Sequence, residues 1–176
     1  RKRWPDDYFT AYYEMSYQYY DVMKDTRFPL FNEGYANDVA LKYVLQRSSV
    51  SAPIYPQSVS NFTLTAKATL PYSYFKDDVD YASMTDRERY LFLEYYRFKF
   101  TGEWFLPLTA DKKLVLMPRF GFGYIGMYNK SKGLTPFDRY SMGGSGLSGV
   151  NQLGGREIIA LRGYDDQTIS ANGGDP

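Results

Sequence analysis

The sequence YRFKFTGEWFLPL, at positions 96–108, alternates apolar and polar side chains with a period of two residues. The apolar series consists of Tyr96, Phe98, Phe100, Trp104, Leu106 and Leu108, and the polar series between them consists of Arg97, Lys99, Thr101 and Glu103. Because successive side chains of a β-strand point to opposite faces, this pattern predicts a strand with one aromatic face and one polar face.

A second alternating segment follows at residues 114–124, after a short turn at residues 109–112. The two segments together predict an antiparallel hairpin over residues 96–124. Pro118 lies inside the second segment and has no backbone N–H to donate, so we expect a bulge or another local irregularity there.

Three earlier segments, at residues 11–20, 35–45 and 61–70, show the same alternation. Strands of this length exceed the usual globular strand of about five or six residues, and their apolar faces match the height of a bilayer core. We therefore predict an all-β fold that is part of a transmembrane antiparallel β-barrel. A water-soluble sandwich or a lipocalin-like barrel, in which the apolar face is an ordinary core, is the alternative.

The lengths of the connections between the strands support the prediction of a membrane barrel. The turn at 109–112 is short, whereas the connections at 21–32, at 71–89 and from 129 onward are long. Outer-membrane barrels combine short periplasmic turns with long extracellular loops. The side chains of the hairpin that are then expected to face lipid are Phe98, Phe100, Trp104, Leu106, Phe120 and Phe122.

The composition excludes several classes of function. The chain has no histidine and no cysteine, which removes the usual general base, the usual metal ligands and disulfides. A net charge of +1 gives no electrostatic footprint for nucleic acid. The 19 tyrosines and 12 phenylalanines suit a membrane interface. Most hydrolase constellations are therefore absent, and we expect no cofactor, no metal site and no nucleic-acid partner.

The order of motifs between residues 55 and 164 resembles that of the BamA-type outer-membrane protein assembly factors, the insertases of the barrel-assembly machinery. The similarity runs from the YPQS turn at 55–58 through the hairpin at 96–124 to TPFDRYSMGG at 135–144 and LRGY at 161–164. In this family the proline-phenylalanine segment leads into a long extracellular loop, which folds into the barrel lumen and carries an arginine-glycine-aromatic motif.

The resemblance implies roles for two groups of loop residues. The loop motif consists of Leu161, Arg162, Gly163 and Tyr164, and the approach to it contains Pro136, Phe137, Gly143 and Gly144. Arg162 is implied to pair with carboxylates in the lumen and to pin the loop there. The chain departs from many family members at residues 146–160, which separate the approach from the motif.

The resemblance also implies an organisation and a function. Residues 1–128 would supply about five strands of a sixteen-stranded barrel, and residues 129–176 would form the glycine-rich loop, so we expect a piece of a longer protein. The implied function is the non-enzymatic insertion of nascent outer-membrane proteins into the bacterial outer membrane. The implied partners are those clients, the accessory lipoproteins of the machinery, lipids and lipopolysaccharide.

Several alternatives remain open at the level of sequence. A two-partner secretion transporter shares the loop motif, and a porin or an outer-membrane enzyme is a more distant possibility. The charged residues of the polar face are interpreted as wetted wall residues that pair across strands or contact water: Lys67, Arg97, Lys99, Glu103 and Arg119. The carboxylates Asp77, Asp78 and Asp80 are interpreted as a solvated loop rather than a calcium site.

Overall fold

The computed structural model describes residues 7–23, 31, 33–49, 56–75, 81, 83–143, 157–159, 161 and 163–165. Within these residues six strands form one antiparallel sheet: β1 (Phe9–Val22), β2 (Gly34–Ser48), β3 (Val59–Thr69), β4 (Tyr96–Pro107), β5 (Val115–Leu116) and β6 (Arg119–Gly126). The strands follow one another in chain order, and β5 and β6 both pair with β4. The all-β prediction and the predicted hairpin over residues 96–124 are confirmed.

Smaller elements lie outside the main sheet. A 3₁₀ helix (Tyr72–Phe75) and a single-turn helix, α1 (Asp86–Arg89), lie between β3 and β4. The short strands β7 (Tyr140–Met142) and β8 (Glu157–Ile159) pair in parallel with each other. No helix among the described residues is both long and apolar enough to cross a membrane.

The strand register brings the apolar positions of all long strands onto one side of the sheet. One row of directly opposed residues across β1, β2, β3, β4 and β6 is Tyr13, Tyr43, Ala66, Phe98 and Tyr124. We call this side the apolar face and the opposite side the polar face. A shift of one residue in any pairing would exchange the two faces, so the alternation read from the sequence specifies the register.

The apolar face is open in the described part of the chain. Tyr13 and Met15 are 81% and 74% exposed, and Phe98, Leu106, Phe120 and Phe122 are also exposed. A water-soluble sandwich would cover this face with a second layer. The packed core instead lies on the polar face, where Val22, Ala36 and Leu93 are buried together with Phe137 from the segment after β6.

The strands are staggered along the sheet. β2 pairs with β1 from Gly34 to Arg47, but only its second half, from Ala40 to Ser48, pairs with β3. β4 in turn extends beyond Val59, the first residue of β3, to pair with β5. Such a stagger accompanies tilted strands and is what closure into a barrel requires.

Pro118 interrupts the last strand without changing its register. Leu106 pairs with Leu116 and Glu103 pairs with Arg119, so both strands have the same number of residues between these pairs. The Trp104 N–H donates to the Pro118 carbonyl at 3.1 Å. Pro118 has no N–H, so the reciprocal hydrogen bond to the Trp104 carbonyl is missing. The predicted irregularity is confirmed, whereas its bulge form is wrong because no extra residue is inserted.

We predict that Pro118→Val stabilises the pairing of β4 with the last strand. The new N–H can donate to the Trp104 carbonyl, and a hydrogen bond of this kind contributes about 0.5–1.5 kcal/mol. The measurement is the temperature at which the full-length protein in detergent loses its compact gel mobility. We expect that temperature to rise.

Pro107→Val is the matched control for this substitution. The N–H of residue 107 would point toward the β3 side of β4, at a level beyond Val59, where β3 has not yet begun. An equal rise for both variants would show that valine acts through strand propensity alone, and would contradict the assignment of the gain to the Trp104 carbonyl.

Candidate loop-anchoring site

The polar face carries a row of three neighbouring cations. Glu14, Lys42, Lys67 and Arg97 lie directly opposite one another across the first four strands. Like charges in directly opposed positions destabilise a sheet. Glu14 neutralises only Lys42, with which it forms an ion pair at 3.0 Å. The other two cations therefore need anions from elsewhere.

Two buried aspartates supply these anions, one from the sheet and one from the segment after β6. Asp38 of β2 lies 2.9 Å from Lys67 Nζ, and Asp138 lies 3.1 Å from the same atom. The second oxygen of Asp138 lies 3.0 Å from Arg97. Lys67, Asp38 and Asp138 are 8%, 0% and 3% exposed, so they are largely removed from solvent screening. Together with Arg97 they form a neutral group.

Tyr95 completes this cluster as a hydrogen-bond donor. Its hydroxyl lies 2.9 Å from the Asp38 carboxylate and 2.6 Å from that of Asp138, and its single proton can be donated to either. Burial raises the pKa of the Tyr95 hydroxyl well above its ordinary value, and the charges of Asp138 and Asp38 raise it further. The hydroxyl therefore stays protonated between the two carboxylates.

The backbone around Asp138 presents its carboxylate to the sheet. Asp138 has φ of +56°, a left-handed conformation that non-glycine residues adopt rarely. Thr135 holds the preceding turn, because its hydroxyl accepts from the Phe137 N–H at 3.2 Å and its carbonyl accepts from Arg139 Nε at 2.9 Å. The PFDR sequence thus forms a compact turn against the polar face.

Phe137 occupies an aromatic socket beside the ionic cluster. Its ring is fully buried and stacks on Tyr20 with a centroid distance of 4.3 Å. Phe31 contacts it edge-on at 5.6 Å and is itself contacted by Tyr90 at 6.0 Å. Full burial of a phenylalanine side chain contributes about 1.5–3 kcal/mol, so this socket adds an apolar anchor to the ionic one.

Tyr140 packs on a glycine of β6. A Cβ atom added to Gly123 would lie 2.9 Å from two atoms of the Tyr140 ring, closer than carbon atoms approach. The Tyr140 hydroxyl donates to the Phe98 carbonyl at 3.1 Å, and the Arg97 guanidinium lies 5.7 Å from the ring centroid. Gly123 therefore provides the space in which the chain after Asp138 lies flat on the sheet.

A second buried ion pair holds the start of the same segment. Lys132 Nζ lies 2.6 Å from a Glu94 carboxylate oxygen and donates to the Phe92 carbonyl at 2.8 Å. The Glu94 carboxylate also accepts from the backbone N–H and the hydroxyl of Ser73, in the 3₁₀ helix. Residues 132–140 are thus anchored at both ends. We call residues 132–140 the docked segment.

The structure places the loop residues predicted from sequence as follows. Pro136 and Phe137 are buried, and Gly143, with φ of +121°, donates its N–H to the Ile159 carbonyl at 3.1 Å. Leu161, Gly163 and Tyr164 are described and Tyr164 is exposed. Arg162 and Gly144 lie outside the described residues, as do Asp77, Asp78 and Asp80, so the implied role of Arg162 stays a prediction.

The structure corrects the interpretation of one charged wall residue. Lys67 is buried rather than wetted, because it pairs with Asp38 of the neighbouring strand and with Asp138 of the docked segment. Arg97 pairs with Asp138 and remains partly exposed. Glu103 and Arg119 do pair across strands, at 2.8 Å, and remain partly exposed as predicted. No pattern in the sequence identifies Asp38 or Tyr95 as a member of this site. The available signal was the excess of cations over anions on the polar face.

The described residues contain no group of three or more potential metal ligands. Within the described residues, Lys67 pairs with Asp38 and Asp138, and Arg97 pairs with Asp138. This arrangement holds the docked segment against the sheet.

Comparison with known proteins places the chain in a family. A family model described as the Omp85 superfamily domain matches residues 5–175. The chain belongs to the Omp85 superfamily. No curated protein matches it closely enough to count as a relative.

Omp85 proteins are outer-membrane proteins of the β-barrel type that insert or secrete other proteins, generally without enzymatic activity. The superfamily covers BamA, TamA and TpsB. The antiparallel sheet of this Omp85 chain fits that architecture.

We predict that Asp138→Asn destabilises the protein strongly. The substitution preserves the shape of the side chain but removes one of the two anions that are described beside Lys67 and Arg97. Removing one partner of a buried ion pair typically costs about 3–5 kcal/mol. Unfolding of the full-length protein in detergent measures the loss. Glu103→Gln removes one anion of an exposed pair on the same face and should cost at most about 1 kcal/mol. Equal losses would contradict the special role of Asp138.

A second prediction concerns the glycine beneath Tyr140. Gly123→Ala should displace the ring and loosen the docked segment, at a cost of about 1–3 kcal/mol for overpacking. Limited proteolysis between residues 127 and 143 would detect the loosening. Gly121→Ala is the control, because Gly121 lies on the same face of the same strand with nothing within 4 Å of an added Cβ. Similar protease sensitivity in both variants would show that Tyr140 does not depend on the glycine.

Proposed function

We propose that this Omp85 protein is a BamA-type insertase, which assists nascent β-barrel proteins into the bacterial outer membrane without catalysing a covalent reaction. The observation that carries the proposal is the docking of the PFDR turn onto the polar face through Asp138, Lys67 and Arg97. The segment that the resemblance assigns to the start of the lumenal loop is the segment that supplies the missing anion.

The two faces of the sheet support an orientation in the membrane. We assign the apolar face to lipid, with Phe98, Phe100, Trp104, Leu106, Phe120 and Phe122 in contact with acyl chains. The polar face, with the docked segment, lines the lumen. We further propose that residues 1–128 form wall strands of a sixteen-stranded barrel and that residues 129–176 form the loop, whose Arg162 adds a second ionic pin.

A barrel of this kind lowers a specific physical barrier. A client strand with unpaired backbone groups enters hydrocarbon only at a high cost, because those groups lose their hydrogen bonds to water. A barrel that offers a strand edge, or perturbs the lipid near it, reduces that cost. The resemblance assigns the opening edge to the first and last strands of the barrel, so this chain would contribute wall and loop.

The anchoring site also bears on the remaining alternatives. A passive porin does not need a buried neutral cluster to hold a segment in its lumen, and an enzyme needs a polar site open to substrate. A two-partner secretion transporter of the same superfamily needs the same anchored loop. The proposed partners, which are nascent outer-membrane proteins, accessory lipoproteins, lipids and lipopolysaccharide, distinguish the insertase from the transporter.

The test is depletion of the full-length protein in its source bacterium. We expect several unrelated outer-membrane barrels to lose their folded, heat-modifiable forms, because insertion serves many clients. Loss of a single secreted protein, with folded barrels unchanged, would instead identify a secretion transporter and contradict the insertase proposal.

Complementation of the depleted strain tests the loop. Arg162→Ala should restore folded clients less well than Arg139→Ala, because the resemblance gives Arg162 the pinning role, whereas Arg139 donates to the Thr135 carbonyl within its own turn. If both variants restore folded clients equally well, Arg162 is an ordinary loop arginine. The paired design separates the effect of one site from a general effect of charge.

A further inference from the structure

The apolar face contains a groove of about 540 Å³ that the alternation pattern alone does not predict. Its floor consists of Ala66 and Ala68 on β3. Leu41 and Tyr43 of β2, with Tyr13 and Met15 of β1 beside them, form one wall, and Phe98 of β4 forms the other. The groove arises because two small residues lie between rows of large side chains on the neighbouring strands.

One wall and one end of the groove are fixed by ring contacts. Tyr43 packs against Tyr13 of β1 with a centroid distance of 5.0 Å, which supports the β2 wall. Farther along β3, the Phe62 ring contacts the Phe9 ring at 5.6 Å and the Phe100 ring at 6.2 Å. These three rings block the groove at this end. The groove therefore ends near Leu64 and opens in the direction of Leu70.

A glycine on β6 keeps the open end clear. Tyr96 lies directly opposite Ala68 on one side and Gly126 on the other. A Cβ atom on Gly126 would overlap the Tyr96 ring, so the ring leans over β6. Tyr96 does not line the groove, although its position in the register borders it.

The width of the groove limits what can occupy it. The backbones of β2 and β4 are about 9.5 Å apart, twice the spacing of neighbouring strands. A hydrocarbon chain in contact with both walls needs about 7–8 Å between wall atoms. An α-helix has a diameter of about 10–12 Å with its side chains and does not enter. A groove that is one strand wide therefore excludes a helix, and an extended hydrocarbon chain is the narrower apolar occupant.

We propose that the groove between Leu41, Tyr43 and Phe98 binds one acyl chain of an outer-leaflet glycolipid, with its methyl end at Leu64. This inference rests on the proposed function, which puts the apolar face in lipid. The open end lies at the long-loop end of the sheet, which that function assigns to the cell exterior. The groove is continuous with the apolar face, so a lipid reaches it without leaving the bilayer.

The experiment uses the full-length protein in phosphatidylethanolamine vesicles that contain a lipid A analogue with a diazirine in the middle of one acyl chain. Vesicles that carry the same diazirine on phosphatidylethanolamine form the second arm. After irradiation, mass spectrometry locates the adducts. We expect the lipid A probe to label residues 41–43 and 66–68 at least about tenfold more than Phe122, a preference equivalent to about 1.4 kcal/mol.

Variants that fill the groove test the site directly. Ala66→Phe, or the milder Ala66→Leu if the first does not fold, should reduce labelling of residues 41–43 to the level at Phe122. Leu106→Phe adds a ring to the same face at a position away from the groove and should leave the labelling unchanged.

Four results would overturn the inference in distinguishable ways. Uniform labelling of the apolar face that Ala66→Phe does not change would show general lipid contact and no site. Equal labelling by the phosphatidylethanolamine probe would exclude a preference for glycolipid. If folded Ala66→Phe or Ala66→Leu protein is still labelled preferentially at residues 41–43, the acyl chain binds outside the groove. No labelling on the apolar face would refute its assignment to lipid, and with it the proposed orientation.

Discussion

The row of Lys42, Lys67 and Arg97 across three adjacent strands is the constraint on which the described structure depends. The register that keeps the aromatic residues on one face also places these cations side by side on the other. The sheet provides Glu14 and Asp38, and the third anion comes from Asp138, in the docked segment. The sheet and the docked segment are therefore electrostatically incomplete without each other. This dependence explains how a polar segment can be held firmly on a polar wall.

Buried ion pairs are weak contributors to net stability, because desolvation offsets most of the attraction between the charges. Their value here lies in specificity. The Phe137 socket supplies apolar burial that a slightly different placement of the turn would also provide, whereas the carboxylate of Asp138 must meet Lys67, Tyr95 and Arg97 at once. We infer that the apolar socket stabilises the docked segment and that the ionic cluster selects one position for it.

The sequence predicts the sheet well because its information is local. The period of two residues in 96–108 specifies which side chains share a face, and Pro118 marks the irregularity within one residue. The anchoring site is predicted poorly because its members come from four separate parts of the chain, and no local pattern pairs Asp38 with Lys67 or Asp138 with Arg97. The motif at Pro136 and Phe137 indicates where the docked segment lies. Counting cations against anions on the polar face would have shown that an anion was missing.

The glycines of β6 connect the two faces of the sheet. Glycine weakens a strand, because it loses more conformational freedom on folding and offers no side chain to pack. Gly123 accommodates the Tyr140 ring of the docked segment on the polar face, and Gly126 accommodates the Tyr96 ring on the apolar face. The same strand thus allows the docked segment to lie flat on the polar face and leaves the groove beside Ala68 open on the apolar face. The strand propensity lost at Gly123 and Gly126 is offset by the packing of an aromatic ring on each of them. This packing explains why glycines occur in a strand whose other residues are mostly large.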